Sequence, residues 1–253
     1  GMEFVVVLKG KSWLGGGKDK LGDQEVEIPA DFYLGKYEVT QEEWEKVMGE
    51  NPSHFSRSGE GKDAVKDIPD EDLKRFPVEN VSWDQCQIFV AKLNQREKKS
   101  GWVYRLPKEV EWEYACRGGP MADKVDSAFD FYFAKPTNAL LPQQANFNKG
   151  LDRPCKVGSY QPNRLGLFDM HGNVLEWCRN GAHWVDTAWV TDTYRDGIQD
   201  PFCVDGLNPV LRGGNWGRSA ADCRSAVRSA IGRGSCLPNL GFRPVLSAGS
   251  DVR

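Results

Sequence analysis

Helical periodicity ends near Arg117, and no later part of the chain regains it. Before that point, Thr40 with Glu43 and Ser82 with Gln85 form two capping boxes followed by apolar residues at helical spacing. They predict two helices, and residues 106–109 (LPKE) predict a third. The second half has only short apolar runs between loops rich in Gly, Asn, Trp and Pro. Early helices followed by short strands and long loops predict an α+β fold.

The short apolar runs define the expected strands and loops. Residues 3–8 (EFVVVL), 32–39 (FYLGKYEV), 209–211 and 241–246 predict strands, whereas the polar residues 51–75 predict a long surface excursion. No proline-rich linker, charge run or change in composition divides the chain. We therefore predict a single domain over residues 1–253.

Composition excludes several classes of protein. The net charge of -3 gives no general attraction to nucleic acid or anionic membrane, and no apolar stretch approaches the roughly 18 residues of a membrane span. We expect a monomer. The Gly1-Met2 start is typical of a tag remnant. A cell-surface or secreted location is favoured if a signal peptide or lipid anchor preceded it.

Common catalytic and metal-binding motifs are absent from the sequence. The seven cysteines contain no CxxC pair, and the three histidines form no HExxH motif, which argues against familiar zinc sites. There is also no GxGxxG, GxxxxGK[ST] or GxSxG motif. We expect mostly buried thiols, with one or two disulfides as the alternative.

Six ordered segments together resemble one known family. They are residues 34–44 (LGKYEVTQEEW), 76–83 (FPVENVSW), 104–117 (YRLPKEVEWEYACR), 157–177 (VGSYQPNRLGLFDMHGNVLEW), 210–216 (VLRGGNW) and 240–243 (LGFR). In this order and spacing they resemble the formylglycine-generating enzyme, or sulfatase-modifying factor, family. The resemblance implies the glycine-rich variant of the C-type lectin fold, with few helices, short antiparallel strands and long loops.

The resemblance also bears on catalysis. Enzymes of this family oxidise a substrate cysteine with two active-site cysteines, five residues apart, that bind copper. The matching positions here are Arg218 and Cys223. Because Cu(I) prefers soft sulfur ligands, the missing thiolate predicts that the chain has no catalytic residues, is not an enzyme and requires no cofactor. Cys223 is then expected to be a buried structural residue. The histidine iron ligands of related thiol–histidine sulfoxide synthases have no match either.

A calcium site of the family matches one loop of this chain. The resemblance implies ligands from the side chains of Asp169 and Glu176 and the carbonyls of Gly172 and Val174, which are the hard oxygen donors that calcium prefers. The alternative is a buried carboxylate bonded to backbone amides. A second family site would use Asn146, but the acidic residue that completes it has no counterpart here.

The residues 217–240 have a biased composition. These 24 residues contain no Lys, Glu, Gln, Met or Trp, although those types make up roughly a fifth of average protein composition. They are also the five amino acids whose codons never end in a pyrimidine. Randomising the two adenines of an asparagine codon therefore gives every residue found here and none of those absent.

This pattern resembles the variable proteins of diversity-generating retroelements, in which adenine-rich codons are mutagenised on the same fold. We predict a C-terminal variable region at residues 207–246, with a binding surface at residues 217–239, hereafter the variable segment. Its framework is Arg212, Gly213, Gly214, Trp216, Cys223, Arg224, Ala226, Arg228, Gly241, Phe242 and Arg243. The twelve candidate contact residues are Gly217, Arg218, Ser219, Asp222, Val227, Ser229, Ile231, Gly232, Gly234, Ser235, Leu237 and Asn239.

The predicted function is therefore non-catalytic binding of a ligand, most simply another protein. The C-type lectin resemblance does not imply a sugar ligand, because the usual carbohydrate–calcium motif is absent. A diversified surface must tolerate many side chains, so it has to be exposed and carried by a rigid frame. The alternatives are a formylglycine-generating oxidase, a catalytically inactive accessory module and a family member that is not diversified.

Overall fold

The computed structural model describes residues 1–97, 101–185, 188–190 and 208–249. Cys203 and residue 207, the first of the predicted variable region, lie outside the described residues. The α-helices are α1 (Gln41–Met48), α2 (Asp70–Leu73), α3 (Trp83–Arg96) and α4 (Glu109–Cys116). The strands are β1 (Phe4–Val7), β2 (Gly10–Leu14), β3 (Gln24–Ile28), β4 (Phe32–Gly35), β5 (Trp102–Arg105), β6 (Leu175–Val185), β7 (Ala188–Val190), β8 (Asn208–Arg212), β9 (Ser229–Ala230), β10 (Leu240–Gly241) and β11 (Val245–Ala248).

The strands form two main sheets and a hairpin. The first sheet has the order β1-β4-β11-β5 with antiparallel neighbours, so strands from the two ends of the chain lie side by side. The second has the order β10-β6-β8-β9, in which β10 runs parallel to β6, and β7 also pairs with β6. Strands β2 and β3 pair as the hairpin. The α+β class is confirmed.

Both capping boxes are formed. The Glu43 amide donates to the Thr40 hydroxyl over 3.3 Å, and the Glu43 carboxylate accepts from the Thr40 amide over 3.0 Å. Ser82 and Gln85 repeat this exchange at 3.2 and 2.8 Å. Gly49 ends α1 in the left-handed region, with φ of 92°. Helix positions set by local hydrogen bonds were therefore predictable.

Two expectations about residues 32–75 are corrected. The predicted strand at 32–39 is present and begins at Phe32, but it ends at Gly35. The polar excursion at 51–75 contains a 3-10 turn at Lys62–Val65 and α2, and it buries Phe55, Val65 and Leu73 around Phe76. Its apolar residues are too widely spaced to show a period, but together they form a small core.

Helix α4 lies at the centre of the molecule, and all eight of its residues are buried. Three are glutamates, so the helix brings carboxylates into the interior. Glu113 pairs with Arg117 over 2.8 Å and with Arg212, and Glu111 pairs with Arg105 over 2.7 Å. Buried charges are tolerated when they are paired and hydrogen-bonded in this way.

A second core links the helices to the C-terminal part of the chain. The rings of Trp44 and Phe89 stack with centroids 5.3 Å apart, and Phe242 meets Phe89 edge-on, also at 5.3 Å. All three side chains are almost completely buried. Phe242 belongs to the framework, so α1 and α3 support the chain directly after the variable segment.

Candidate ligand-binding site

All twelve candidate contact residues lie at exposed or half-buried positions. The exposed ones are Arg218, Ser219, Asp222, Gly232, Gly234 and Leu237, and the half-buried ones are Gly217, Val227, Ser229, Ile231, Ser235 and Asn239. Several framework side chains are fully buried instead: Arg212, Cys223, Phe242 and Arg243 are each 0% exposed. Trp216 is half-buried and meets Phe55 edge-on at 5.8 Å. Arg224, Ala226 and Arg228 of the framework are half-buried as well, so exposure separates the predicted surface from the frame only in part.

Arg212 holds the variable segment from inside the protein. Its guanidinium donates to the carbonyls of Ser225 over 3.0 Å and of Val227 over 2.6 Å. The same group pairs with Glu113 of α4 and lies over the Trp112 ring, 5.6 Å from the centroid. One buried cation thus connects the central helix to the backbone of the variable segment.

Further contacts to this segment also use its main chain. Five carbonyls of the segment accept hydrogen bonds of 2.7 to 3.0 Å from the rest of the protein. His171 Nδ1 donates to the Cys223 carbonyl. Backbone amides donate the other four: Asn148 to Arg218, Trp83 to Arg233, Asn80 to Leu237 and Leu175 to Asn239. Burial lowers the pKa of His171 to about 4, so it is neutral and donates from Nδ1 while Nε2 accepts from the Tyr132 amide. Every residue type supplies these carbonyls, so this part of the anchoring does not depend on side chains. Side chains outside the candidate set add to it, because Arg228 pairs with Glu109 over 2.7 Å and Arg224 with Asp130 over 3.5 Å.

The candidate side chains take little part in this anchoring. The Ser219 hydroxyl donates to Asp222 over 2.8 Å. Within the described ranges, the side chains of the twelve residues make no other hydrogen bond; Val227 and Gly217 bind the side chains of Arg212 and Asn215 through their backbone atoms. Ile231 differs from the others, because its half-buried side chain packs against the core that contains Trp44 and Phe242.

Four candidates surround a pocket of about 180 Å³: Arg218, Asp222, Val227 and Ser229. The remaining lining comes from Leu175, Leu211, Gly214 and Arg228. Leu211 is buried on β8. The other eight candidates lie outside this pocket, so the structure brings together a third of the predicted set.

Cys223 is a buried thiol. Its side chain is 0% exposed, and burial raises the pKa of the thiol to about 12 against the smaller opposing effect of the Asn215 backbone. Gly214 lies directly against it with φ of 73°, and a Cβ there would come within 2.5 Å of the sulfur. The six described cysteines are free, and all except Cys236 are buried. The expectation of mostly buried thiols is confirmed for these six.

The donor set does not fit the copper of the family's oxidases. The family resemblance matches Arg218 to the second thiolate, and the exposed guanidinium of Arg218 makes no ion pair with the described residues. Cys223 is held in its protonated form by burial. A guanidinium and a protonated thiol are not the paired soft ligands that Cu(I) requires.

The predicted calcium residues have partners within the protein. The Glu176 carboxylate accepts from Arg243 Nε and Nη2, both over 2.7 Å, and from the Trp112 indole over 2.8 Å. Asp169 accepts from the Gly158 amide over 2.7 Å. Among the described residues, no three His, Cys, Asp or Glu side chains are grouped to hold a metal ion. A cation at Glu176 would lie beside a guanidinium, so these residues do not fit the expected calcium.

Two carboxyl groups near Arg243, those of Asp169 and Glu38, are harder to ionise than free carboxyl groups. Burial raises the pKa of Asp169 to about 6, and burial together with the nearby Asp169 and Glu176 raises the pKa of Glu38 well above its usual value. Glu38 also accepts from the Asn173 side chain over 3.1 Å. Hydrogen bonds from Arg243, Trp112 and Asn173 thus satisfy carboxylate oxygens of this cluster within the protein. The alternative of a hydrogen-bonded carboxylate describes the geometry better, although the donors are mainly a guanidinium and an indole rather than backbone amides.

Comparison with known families agrees with this architecture. Residues 1–248 match the Sulfatase-modifying factor enzyme 1-like domain. The chain belongs to this family. The sulfatase-modifying factor resemblance drawn from the six motifs is therefore confirmed. In the part of the chain that the structure describes, no helix is both long and apolar enough to cross a membrane.

The relatives of this chain include proteins named as a chaperone, as an enzyme and as an inactive enzyme. The chaperone protein LppX of Paenibacillus barcinonensis is 31% identical, over 91% of this chain and 85% of LppX. The formylglycine-generating enzyme of Mus musculus is 30% identical, over 66% of this chain and 43% of the enzyme. The inactive C-alpha-formylglycine-generating enzyme 2 of Mus musculus is 31% identical, over 69% of this chain and 50% of that protein. This chain therefore matches half or less of each mouse protein.

The fold of this chain is also similar to the solved structure of a variable protein, the second resemblance expected from the sequence. Treponema denticola variable protein 1 has a TM-score of 0.75 and 27% sequence identity, over 96% of this chain and 94% of that protein. The overall fold is thus shared with a variable protein over nearly the full length of both chains. The family thus includes an inactive enzyme relative, and the fold includes a variable protein.

The pairing of Glu176 with Arg243 predicts that calcium is not needed for stability. A ligand bound only by the folded state would raise the melting temperature by mass action, so its removal would lower that temperature. We expect the melting curve, followed by circular dichroism, to be unchanged in excess EDTA. A fall in melting temperature that added calcium reverses, and that Asp169→Asn abolishes, would support the calcium site instead.

Glu113 predicts a specific loss of stability in acid. Burial raises its pKa, but the guanidiniums of Arg212 and Arg117 outweigh this effect and lower the pKa to about 2. An unfolded glutamate titrates near pH 4.3, so the stabilisation is complete above about pH 4.3 and disappears as the pH falls through about 2. The difference in free energy of unfolding between the parent and Glu113→Gln should therefore shrink over this window. Urea titrations test this, with Glu25→Gln as the control; a constant difference would contradict the assignment.

Proposed function

We propose that this chain is a non-catalytic ligand-binding protein whose variable segment forms the binding surface. In this proposal a retroelement diversifies the candidate positions, and the ligand is another protein. A cell-surface or secreted location would suit such a display protein. The family membership and the shared fold with a variable protein are consistent with this function.

The observation that carries the proposal is that, within residues 217–239, the backbone and the framework residues hold the segment in place while the candidate side chains do not. The protein holds this segment through its carbonyls and through buried framework residues, whereas the candidate side chains remain exposed or half-buried. Stability then depends little on which side chains occupy those positions. Such independence is what a surface of changing sequence requires.

The second candidate is a formylglycine-generating oxidase, favoured by the identity to the mouse enzyme. Its chemistry needs two thiolates that bind copper. Arg218 replaces one of them, and burial raises the pKa of the other, Cys223, to about 12. These observations support binding over oxidation. An inactive accessory module shares them, and the effect of the variable positions on binding would distinguish that alternative.

A multiple substitution tests the proposed surface. Replacing Arg218, Asp222, Ser229 and Leu237 together with Ala should leave the melting temperature nearly unchanged, because exposed positions usually contribute within about 0.5 kcal/mol each. The same variant should lose a ligand selected against the parent from a random-peptide display library, because a few residues carry most of the energy of an interface.

The matched control replaces exposed residues elsewhere, namely Lys11, Ile88 and Val125. Both variants should melt like the parent, but only the first should lose binding in biolayer interferometry. If the first variant binds the selected ligand as the parent does, the variable segment is not the binding surface.

The double variant Val227→Ser, Ile231→Ser tests the apolar candidates, and its unfolding would assign those two residues to the core.

The oxidase alternative has its own test. Purified protein incubated with copper, oxygen, a reductant and a cysteine-containing sulfatase peptide should give no peptide aldehyde by mass spectrometry, because the second thiolate is absent. Cys223→Ser serves as the control. An aldehyde formed by the parent and lost in Cys223→Ser would establish oxidase activity and overturn the non-catalytic proposal.

A further inference from the structure

We infer that the pocket beside Arg218 receives one apolar side chain of a peptide segment that carries a carboxylate next to that side chain. This inference rests on the proposed function, because the pocket lies in the proposed binding surface. It adds the chemical class of the ligand. The size of the pocket, its lining and its charge each contribute to the argument.

The pocket is too small for a whole ligand of drug size. Its volume is about 180 Å³, whereas sites that enclose small molecules measure about 300–1,000 Å³. An apolar cavity of about 150 Å³ is large enough for benzene. The space therefore suits a single large side chain, such as that of phenylalanine, inserted from a larger partner.

The lining combines an apolar side with a polar rim. Leu175, Leu211 and Val227 supply hydrocarbon surface, and Leu211 is only 3% exposed. Ser229 is the small neutral residue of the rim. Burial of an apolar side chain against these groups would supply the driving force, at roughly 25 cal/mol for each Å² removed from water.

Arg218 is the cation at the rim that an acidic neighbour of that side chain would bind. Arg228 is already bound to the Glu109 carboxylate over 2.7 Å. Asp222 accepts from the Ser219 hydroxyl and remains the opposing anion of the lining. Arg218 is exposed and makes no ion pair with the described residues. A carboxylate close to the inserted side chain would pair with this guanidinium, which can bind it with two hydrogen bonds.

Defined peptides test this chemistry directly. The probes are fluorescein-labelled peptides with a Gly/Ser background and a central Phe-Asp, Phe-Asn, Phe-Lys or Ala-Asp pair, measured by fluorescence polarisation. We expect Phe-Asp to bind at least about fivefold more tightly than the other three, with the advantage over Phe-Lys falling as salt is added. Equal affinities, or no binding of Phe-Asp up to about 1 mM, would overturn the inference.

Two substitutions at exposed or half-buried positions assign the effect to the pocket. Arg218→Glu should reverse the preference, so that Phe-Lys binds more tightly than Phe-Asp, and Ser229→Phe should abolish binding of both by filling the space. The matched control is Arg233→Glu, which reverses a charge in the same segment but outside the pocket. An unchanged preference in Arg218→Glu would overturn the inference.

The random-library selection separates this inference from the proposed function. If selected peptides lose binding in the fourfold alanine variant but lack an aromatic–acidic pair, the surface stands and the ligand chemistry is wrong. If selected peptides keep their affinity in that variant, the proposed function itself fails. Enrichment of aromatic–acidic pairs that depends on Arg218 supports both.

Discussion

Arg212 is the residue through which the interior of this protein positions its C-terminal loop. The buried guanidinium pairs with Glu113 of the central helix and donates to the carbonyls of Ser225 and Val227. Removing one partner of a buried ion pair leaves an uncompensated charge, which costs about 3–5 kcal/mol. The arginine and the helix therefore require each other. Because the loop contributes only backbone atoms to these contacts with Arg212, they constrain its path without using the twelve candidate side chains, which lie at exposed or half-buried positions.

In the proposed function, this arrangement separates the requirements of folding from those of recognition. In an oxidase of the family, two thiolates must occupy fixed positions, and substitution at either one removes the metal ligand set. The family resemblance matches Arg218 to one of those positions; Arg218 makes no ion pair within the described ranges, while Cys223 is enclosed by Gly214 and burial raises the pKa of its thiol to about 12. The proposal uses the same loop as a binding surface. Its pocket is lined by four candidate contact residues and by Leu211 of β8, among others.

The sequence predicted what local signals determine and missed what distant contacts determine. The capping residues located α1 and α3, since the hydrogen bonds of a cap lie within four residues. The absent residue types drew attention to residues 217–239, and all twelve candidates there lie at exposed or half-buried positions. The excursion at 51–75 was wrong because its apolar residues have no period, and the anchoring role of Arg212 was missed because Glu113 lies far away in the chain. The proposed calcium at Glu176 could not be judged from the sequence, which does not show that Arg243 binds the same carboxylate.

The most direct measurement is the fraction of folded proteins in a library that randomises the twelve candidate positions together. Yeast display with limited proteolysis would report folding for each member, and a second library would randomise twelve buried framework and core positions. Anchoring through main-chain atoms predicts that most members of the first library resist protease as the parent does, whereas almost none of the second do. Equal loss of folded members from both libraries would show that the side chains of the variable segment hold the fold together, and would contradict the account.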